Sequence, residues 1–270
     1  MKIAASCLAV LLYASSAVAQ ETQPLVIGET FTLQSRTLNE QRRINVYLPY
    51  MYADTPLKRF PVLYMPDGGV AEDFIHVAGL LQVSIGNGTM RPFILVGIEN
   101  TQRRRDMTGP TEVAEDRKIA PVVGGSASFR KFIADELIPS VQRKYRTTSE
   151  RAIIGESLAG LFVVETFMLQ PDLFNTYIAF DPSLWWNKGA LVKSSEKLLA
   201  GFTDKPRSIY IGVSGEGDVD GLTSRYADIL AGSALKQLDW RFLPLPAERH
   251  STIYHPAALQ ALRDLFKPDL

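Results

Sequence analysis

Cysteine is all but missing from this chain: of 270 residues only Cys7 carries a thiol. An intrachain disulfide, a Cys-based zinc site and a thiol nucleophile beyond that position are excluded together. An excess of either charge is missing too, since 29 Lys and Arg balance 29 Asp and Glu. Phosphate neutralisation needs a surplus of basic residues, which rules out nucleic acid as the main partner. Histidine is scarce, with only His76, His250 and His255 available to any reaction that needs an imidazole. No internal repeat, low-complexity tract or Pro/Gly-rich linker divides the chain. What remains, 46% hydrophobic and 21% charged residues, is the balance of an ordinary globular protein.

The N-terminus is distinct. Lys2, a mostly apolar run from Ile3 to Ala14, and the small residues Ala17 and Ala19 before Gln20 have the form of a secretory signal peptide. The run is shorter than the about 20 residues that span a bilayer. Cleavage after Ala19 is expected, leaving residues 20–270 as a single domain in the periplasm or secreted, with no cysteine and no stable membrane anchor.

Ile44, Val46 and Leu48 alternate with polar or aromatic neighbours, as in half-buried antiparallel strands at a sheet edge. Later strands read differently. Residues 62–65, 93–96, 152–154, 177–180 and 209–213 are continuous apolar runs, the pattern of strands covered on both faces. Helical periodicity lies between them: Phe129, Phe132, Ile133, Leu137, Ile138, Val141 and Tyr145 recur every three or four residues, with Pro139 expected to kink or interrupt the helix. Strands alternating with helices predict an α/β fold with a mainly parallel central sheet, antiparallel N-terminal edge strands and helices on both faces.

The segment Gly155-Glu156-Ser157-Leu158-Ala159-Gly160 follows a short apolar strand and runs into a helical stretch. That is the setting of a nucleophile elbow, in which a serine is exposed on a sharp strand-to-helix turn between small neighbours. A serine hydroxyl needs a base. His250 follows the strand-like run Leu238–Leu245 in a polar loop, where such a base is expected. His76 falls in a helical stretch and His255 precedes Pro256, and both read as surface or capping residues. An acid should orient His250 from the turn after the preceding parallel strand, residues 214–220. Asp218 is the favoured residue there, with Glu216 as alternative and Asp220 also in range. Oxyanion donors are expected from the Leu158 N–H and, after the third strand, from the Gly69 N–H.

The chain resembles the esterase branch of the α/β-hydrolases, which holds enterochelin-type siderophore esterases, feruloyl esterases, S-formylglutathione hydrolase and mycolyltransferases. The resemblance runs from about Leu25 to Phe266. It rests on residues 61–68, Arg105-Asp106-Met107-Thr108, Glu136–Pro139, the elbow 155–160, Pro171–Phe174, Asp181-Pro182-Ser183-Leu184-Trp185-Trp186 and the pair Glu248 and His250. It implies a carboxylic-ester hydrolase of α/β-hydrolase fold, with Ser157 and His250 as the catalytic pair, no metal and no organic cofactor. The expected substrate is a small-molecule ester, of the catecholate trilactone siderophore type or else a feruloyl, aryl or short-chain acyl ester. Acyl transfer to a sugar or lipid acceptor and non-catalytic ligand binding are the other classes open at this point. Substrate contacts are expected from Arg103, Arg104 and Arg105, whose guanidinium forks suit anionic oxygen ligands, and from Trp185, which can stack on an aromatic acyl group.

Overall fold

The computed structural model of the chain describes residues 22–268, so the expected signal segment 1–19 lies outside the described residues. An eight-stranded sheet organises them in the order β1-β2-β4-β3-β5-β6-β7-β8. β1 (Glu29–Ser35) and β2 (Glu40–Tyr47) form an antiparallel pair, and β2 also runs antiparallel to β4 (Ile94–Ile98). From β4 the sheet is parallel through β3 (Phe60–Met65), β5 (Thr147–Glu156), β6 (Thr176–Phe180), β7 (Arg207–Ser214) and β8 (Leu238–Leu245). This is the α/β-hydrolase fold that the sequence predicts. The antiparallel pair lies at the expected edge of the sheet, with β1 outermost; β2, flanked on both sides, is more deeply buried than its alternation predicts, and its Arg42 is fully buried.

Successive side chains of a strand point to opposite faces, and the continuous apolar runs supply both. Val62 and Tyr64 join the core on one face of β3, and Leu63 and Met65 the core on the other. The helices α1 (Phe74–Gly86) and α9 (Tyr254–Leu265) cover one face. The opposite face is covered chiefly by α4 (Ser126–Phe132), α5 (Ile138–Lys144), α6 (Leu158–Leu169), α7 (Trp186–Leu199) and α8 (Leu222–Ala231). Two short helices, α2 (Arg103–Met107) and α3 (Ala114–Ile119), fill the crossover after β4.

Pro139 neither stops nor sharply breaks its helix. The turn Ile133–Leu137 widens into a π-helix between α4 and α5, and Ile138 N–H donates to Ile133 O five residues back. The wider turn accommodates the missing N–H and the ring of Pro139.

Candidate active site

The site is built at the carboxyl edge of the parallel strands, where open α/β sheets hold their ligands. β5 ends at Glu156 and α6 begins at Leu158, leaving Ser157 alone in the turn at φ 61° and ψ −120°. A non-glycine residue there is strained, by about 1–3 kcal/mol. The turn is held by Ser157 N–H donating to Phe180 O at 3.0 Å and by Ser183 N–H donating to Ser157 O at 3.1 Å. Gly155 permits it: a Cβ at that position would lie 2.7 Å from the Ala159 carbonyl carbon. Ala159 therefore serves where a second glycine is more usual.

His250 enters from the loop after β8. Ser157 Oγ–H donates to its Nε2 at 3.1 Å, and its Nδ1–H donates to Asp181 Oδ2, also at 3.1 Å. Asp181 is wholly buried, with its side chain 0% exposed, directly after β6. It also accepts from Ser214 N–H and Ser214 Oγ, both at 2.6 Å. Burial alone would raise its pKa, but the bonds from His250 and Ser214 outweigh that and hold the carboxyl below its usual range. The Asp181 hydrogen bond in turn raises His250, against the opposing effect of burial. A second carboxylate reaches the same imidazole: Glu156 Oε1 lies 3.3 Å from Nε2, and burial pushes its pKa up to about 7.

A serine, an imidazole and a buried carboxylate in this relay can transfer a proton from an attacking hydroxyl and return it to a leaving group. The family model described as "Putative esterase" matches residues 35–218. The chain belongs to that esterase family. An IroE-like serine hydrolase from Shewanella oneidensis superposes with a TM-score of 0.80 at 29% identity, covering 89% of this chain and 80% of that one. The ferri-bacillibactin esterase BesA of Bacillus subtilis is 30% identical over 182 residues, which are 60% of this chain and 61% of BesA. An apo-salmochelin esterase of Escherichia coli is 27% identical over 249 residues, 83% of this chain and 75% of that protein. Of BesA and of the iron(III) salmochelin esterase of Escherichia coli, the match spans only 61% and 36% of the length.

The acid expected after β7 must be corrected. The carboxylate on His250 Nδ1 belongs to Asp181, not to Asp218 or Glu216. Asp218 caps α8 instead, accepting from Thr223 N–H at 2.8 Å and from Ser224 N–H at 3.1 Å. Glu216 accepts from the backbone N–H of His250 at 3.3 Å, which orients the loop and not the ring. The physical reason lies in the loops. Gly215 N–H donates to Glu248 O at 3.0 Å, which draws the loop after β8 onto the loop after β7, and the ring of His250 lands above Asp181 at the end of β6.

Leu158 heads α6, where first-turn N–H groups lack intrahelical acceptors. The Gly69 N–H is engaged: it donates to Glu72 Oε2 at 2.6 Å. The three arginines separate. Arg105 is tied into an ion cluster with Glu40 and Asp106 that also holds the buried Arg42, and the exposed Arg104 donates to Ile119 O; both border the same cleft as Arg103. Arg103 forks onto Asp67 through Nε at 2.7 Å and Nη2 at 2.8 Å, stays 34% exposed, and lies near enough for its charge to act on Glu156 and His250. Trp185 is half-buried against the core, its ring 6.0 Å from that of Trp186. His76 and His255 bond each other, ring nitrogens 2.9 Å apart, and take no hydrogen bond from the members of this relay.

Glu156, Asp181 and His250 present ligand atoms within 4.8 Å of one another, the spacing of a divalent-ion site. Both ring nitrogens of His250 are engaged, Nδ1 by Asp181 and Nε2 by Ser157, so the set is arranged for proton transfer. Among the described residues, no helix is long and apolar enough to cross a membrane.

Proposed function

We propose that the protein is a carboxylic-ester hydrolase that works through a serine acyl-enzyme on a catecholate siderophore-type ester. The observation that carries this reading is the unbroken chain Ser157 Oγ–His250 Nε2 and His250 Nδ1–Asp181 Oδ2, both at 3.1 Å. Ser157 attacks the ester carbonyl while His250 takes its proton, and Asp181 holds the ring and stabilises the imidazolium. The tetrahedral intermediate leans on the Leu158 N–H. Gly69 N–H is the second donor once the Glu72 carboxylate turns away from it. His250 then protonates the departing alkoxide, and a water repeats the sequence on the acyl-enzyme.

The substrate class rests on two supports. Relatives across the family carry names of siderophore esterases, and Arg103 lines a cleft of about 410 Å³ together with Gln102, Arg104, Arg105 and residues 120–122. A guanidinium half-held by Asp67 suits the oxygens of an anionic catecholate. Export is part of the proposal and rests on the sequence of residues 1–19 alone, with residues 20–270 as one catalytic domain.

The test compares a catecholate trilactone, a feruloyl ester and short-chain p-nitrophenyl esters on wild type and Ser157→Ala. Turnover of the trilactone that Ser157→Ala abolishes is expected. Turnover of the p-nitrophenyl esters alone would refute the siderophore assignment, and equal rates for both proteins would refute the serine mechanism.

A further inference from the structure

Glu156 fills the variable position of the elbow immediately before the nucleophile. Its side chain is only 16% exposed, and Oε1 lies 3.3 Å from His250 Nε2, the nitrogen that also accepts from Ser157 Oγ at 3.1 Å. Asp181 occupies the other ring nitrogen, so His250 has a carboxyl group at each end of its imidazole. A relay of serine, histidine and one acid has no use for the second carboxyl. On the serine-esterase reading above, we propose that Glu156 is a positioning residue that competes with Ser157 for the proton site on His250 Nε2 and thereby sets the pH at which the base becomes available.

The competition follows from donor and acceptor roles. Neutral His250 offers one lone pair at Nε2, which the Ser157 hydroxyl uses when the relay is ready. A protonated Glu156 is a donor at the same distance and can take that lone pair from the serine. An ionised Glu156 instead accepts from the imidazolium N–H and favours the charged ring. One proton added to the pair therefore disables the serine whichever of the two groups holds it.

The surroundings keep this balance close. Burial is the largest influence on Glu156 and disfavours its charge, and Asp181 after β6 and Asp73 before α1 act in the same sense. His250 and Arg103 oppose them. Asp67 faces Arg103 and occupies its guanidinium, while the buried Tyr254 lies at the start of α9 within reach of the same charges. The outcome is a carboxyl titrating at about 7, next to an imidazole whose own value is raised.

The near-isosteric variant Glu156→Gln separates the charge from the packing. Its amide can donate to Nε2 at every pH, as a protonated Glu156 does, so the plateau of its kcat/KM profile should fall, while the acid limb moves to a pH lower than wild type by about one unit, the scale of a single opposite charge at this distance. Glu156→Asp, with a shorter reach, should fall between the two. The titration of His250 read by NMR in a Ser157→Ala background gives the same shift without any turnover. Only two other histidines are present, and His76 and His255 serve as internal controls. Equal acid limbs and equal His250 titrations in wild type and Glu156→Gln overturn the proposal. Labelling of Ser157 by a fluorophosphonate tests the esterase reading on its own. An adduct without a shift in Glu156→Gln sinks only the role of Glu156, while a shift without an adduct sinks only the serine mechanism.

Discussion

Gly217 lies so close to Asp181 that a Cβ on it would sit 1.9 Å from Asp181 Oδ1. The loop after β7 thus closes over the carboxylate that serves His250, and only a hydrogen at position 217 allows the approach. Asp181 has little room to yield, because His250, Ser214 N–H and Ser214 Oγ already fix its oxygens. Gly217→Ala is therefore expected to shift the loop or the carboxylate and to lower kcat/KM by about tenfold or more. Overpacking of this kind also costs about 1–3 kcal/mol, read as a lower thermal midpoint. Wild-type activity and stability in Gly217→Ala would show that the contact is slack.

Asp181→Asn tests the identity of the acid. An amide at that position can no longer hold the required tautomer of His250 and should lower kcat by about 10³- to 10⁴-fold. Asp218→Ala should leave kcat within about twofold of wild type, since its oxygens bond only the first turn of α8. Its effect belongs to stability, at about 0.5–2 kcal/mol for a lost helix cap. Reversed outcomes, measured by steady-state kinetics and thermal unfolding, would return the role to the loop after β7.

The contrast between these two aspartates shows where sequence reading reaches its limit. The strand runs and the elbow are local patterns, so β3 to β8 and Ser157 are legible from neighbours along the chain. His250 is legible because one polar loop after the last strand holds a histidine. Asp181 stands in plain sight after the strand 176–180, yet its partner lies 69 residues away, and the choice between it and Asp218 depends on which strand end the His250 loop overhangs. The arginine triplet is opaque for the same reason. Arg105 finds Glu40 across 65 residues of sequence, while Arg103 two positions earlier turns to Asp67.

The pH dependence of stability follows from the direction of three shifts. Asp181 is lowered from 3.8 in the fold, so its contribution is present above that value and lost as the pH falls through its folded pKa. His250 is raised from 6.5, and its contribution is present below 6.5 and lost as the pH rises through the folded value. Glu156 rises from 4.5 to about 7, so the folded state keeps a proton that the unfolded chain has released, and stability declines across that interval. The thermal midpoint of wild type should accordingly fall between pH 5 and pH 8, and Glu156→Gln should flatten the fall. Parallel curves for the two proteins in a calorimetric series would contradict the assignment.

Arg103 supplies the test of substrate charge. Its fork onto Asp67 leaves part of the guanidinium facing the cleft, and it is also the group that restrains Asp73, whose carboxyl burial pushes up to about 6. Arg103→Gln removes a cation and releases two carboxyl groups beside the path of an anionic ester. The loss should therefore be larger for a catecholate ester than for neutral p-nitrophenyl acetate, by about tenfold or ~1.4 kcal/mol, and it should appear mainly in KM. Arg103→Lys keeps the charge but not the fork and should recover only part of that difference. Arg105→Gln breaks the cluster around Arg42 and should instead lower the thermal midpoint without distinguishing the two substrates. Equal losses on both esters in Arg103→Gln would remove charge recognition from the cleft.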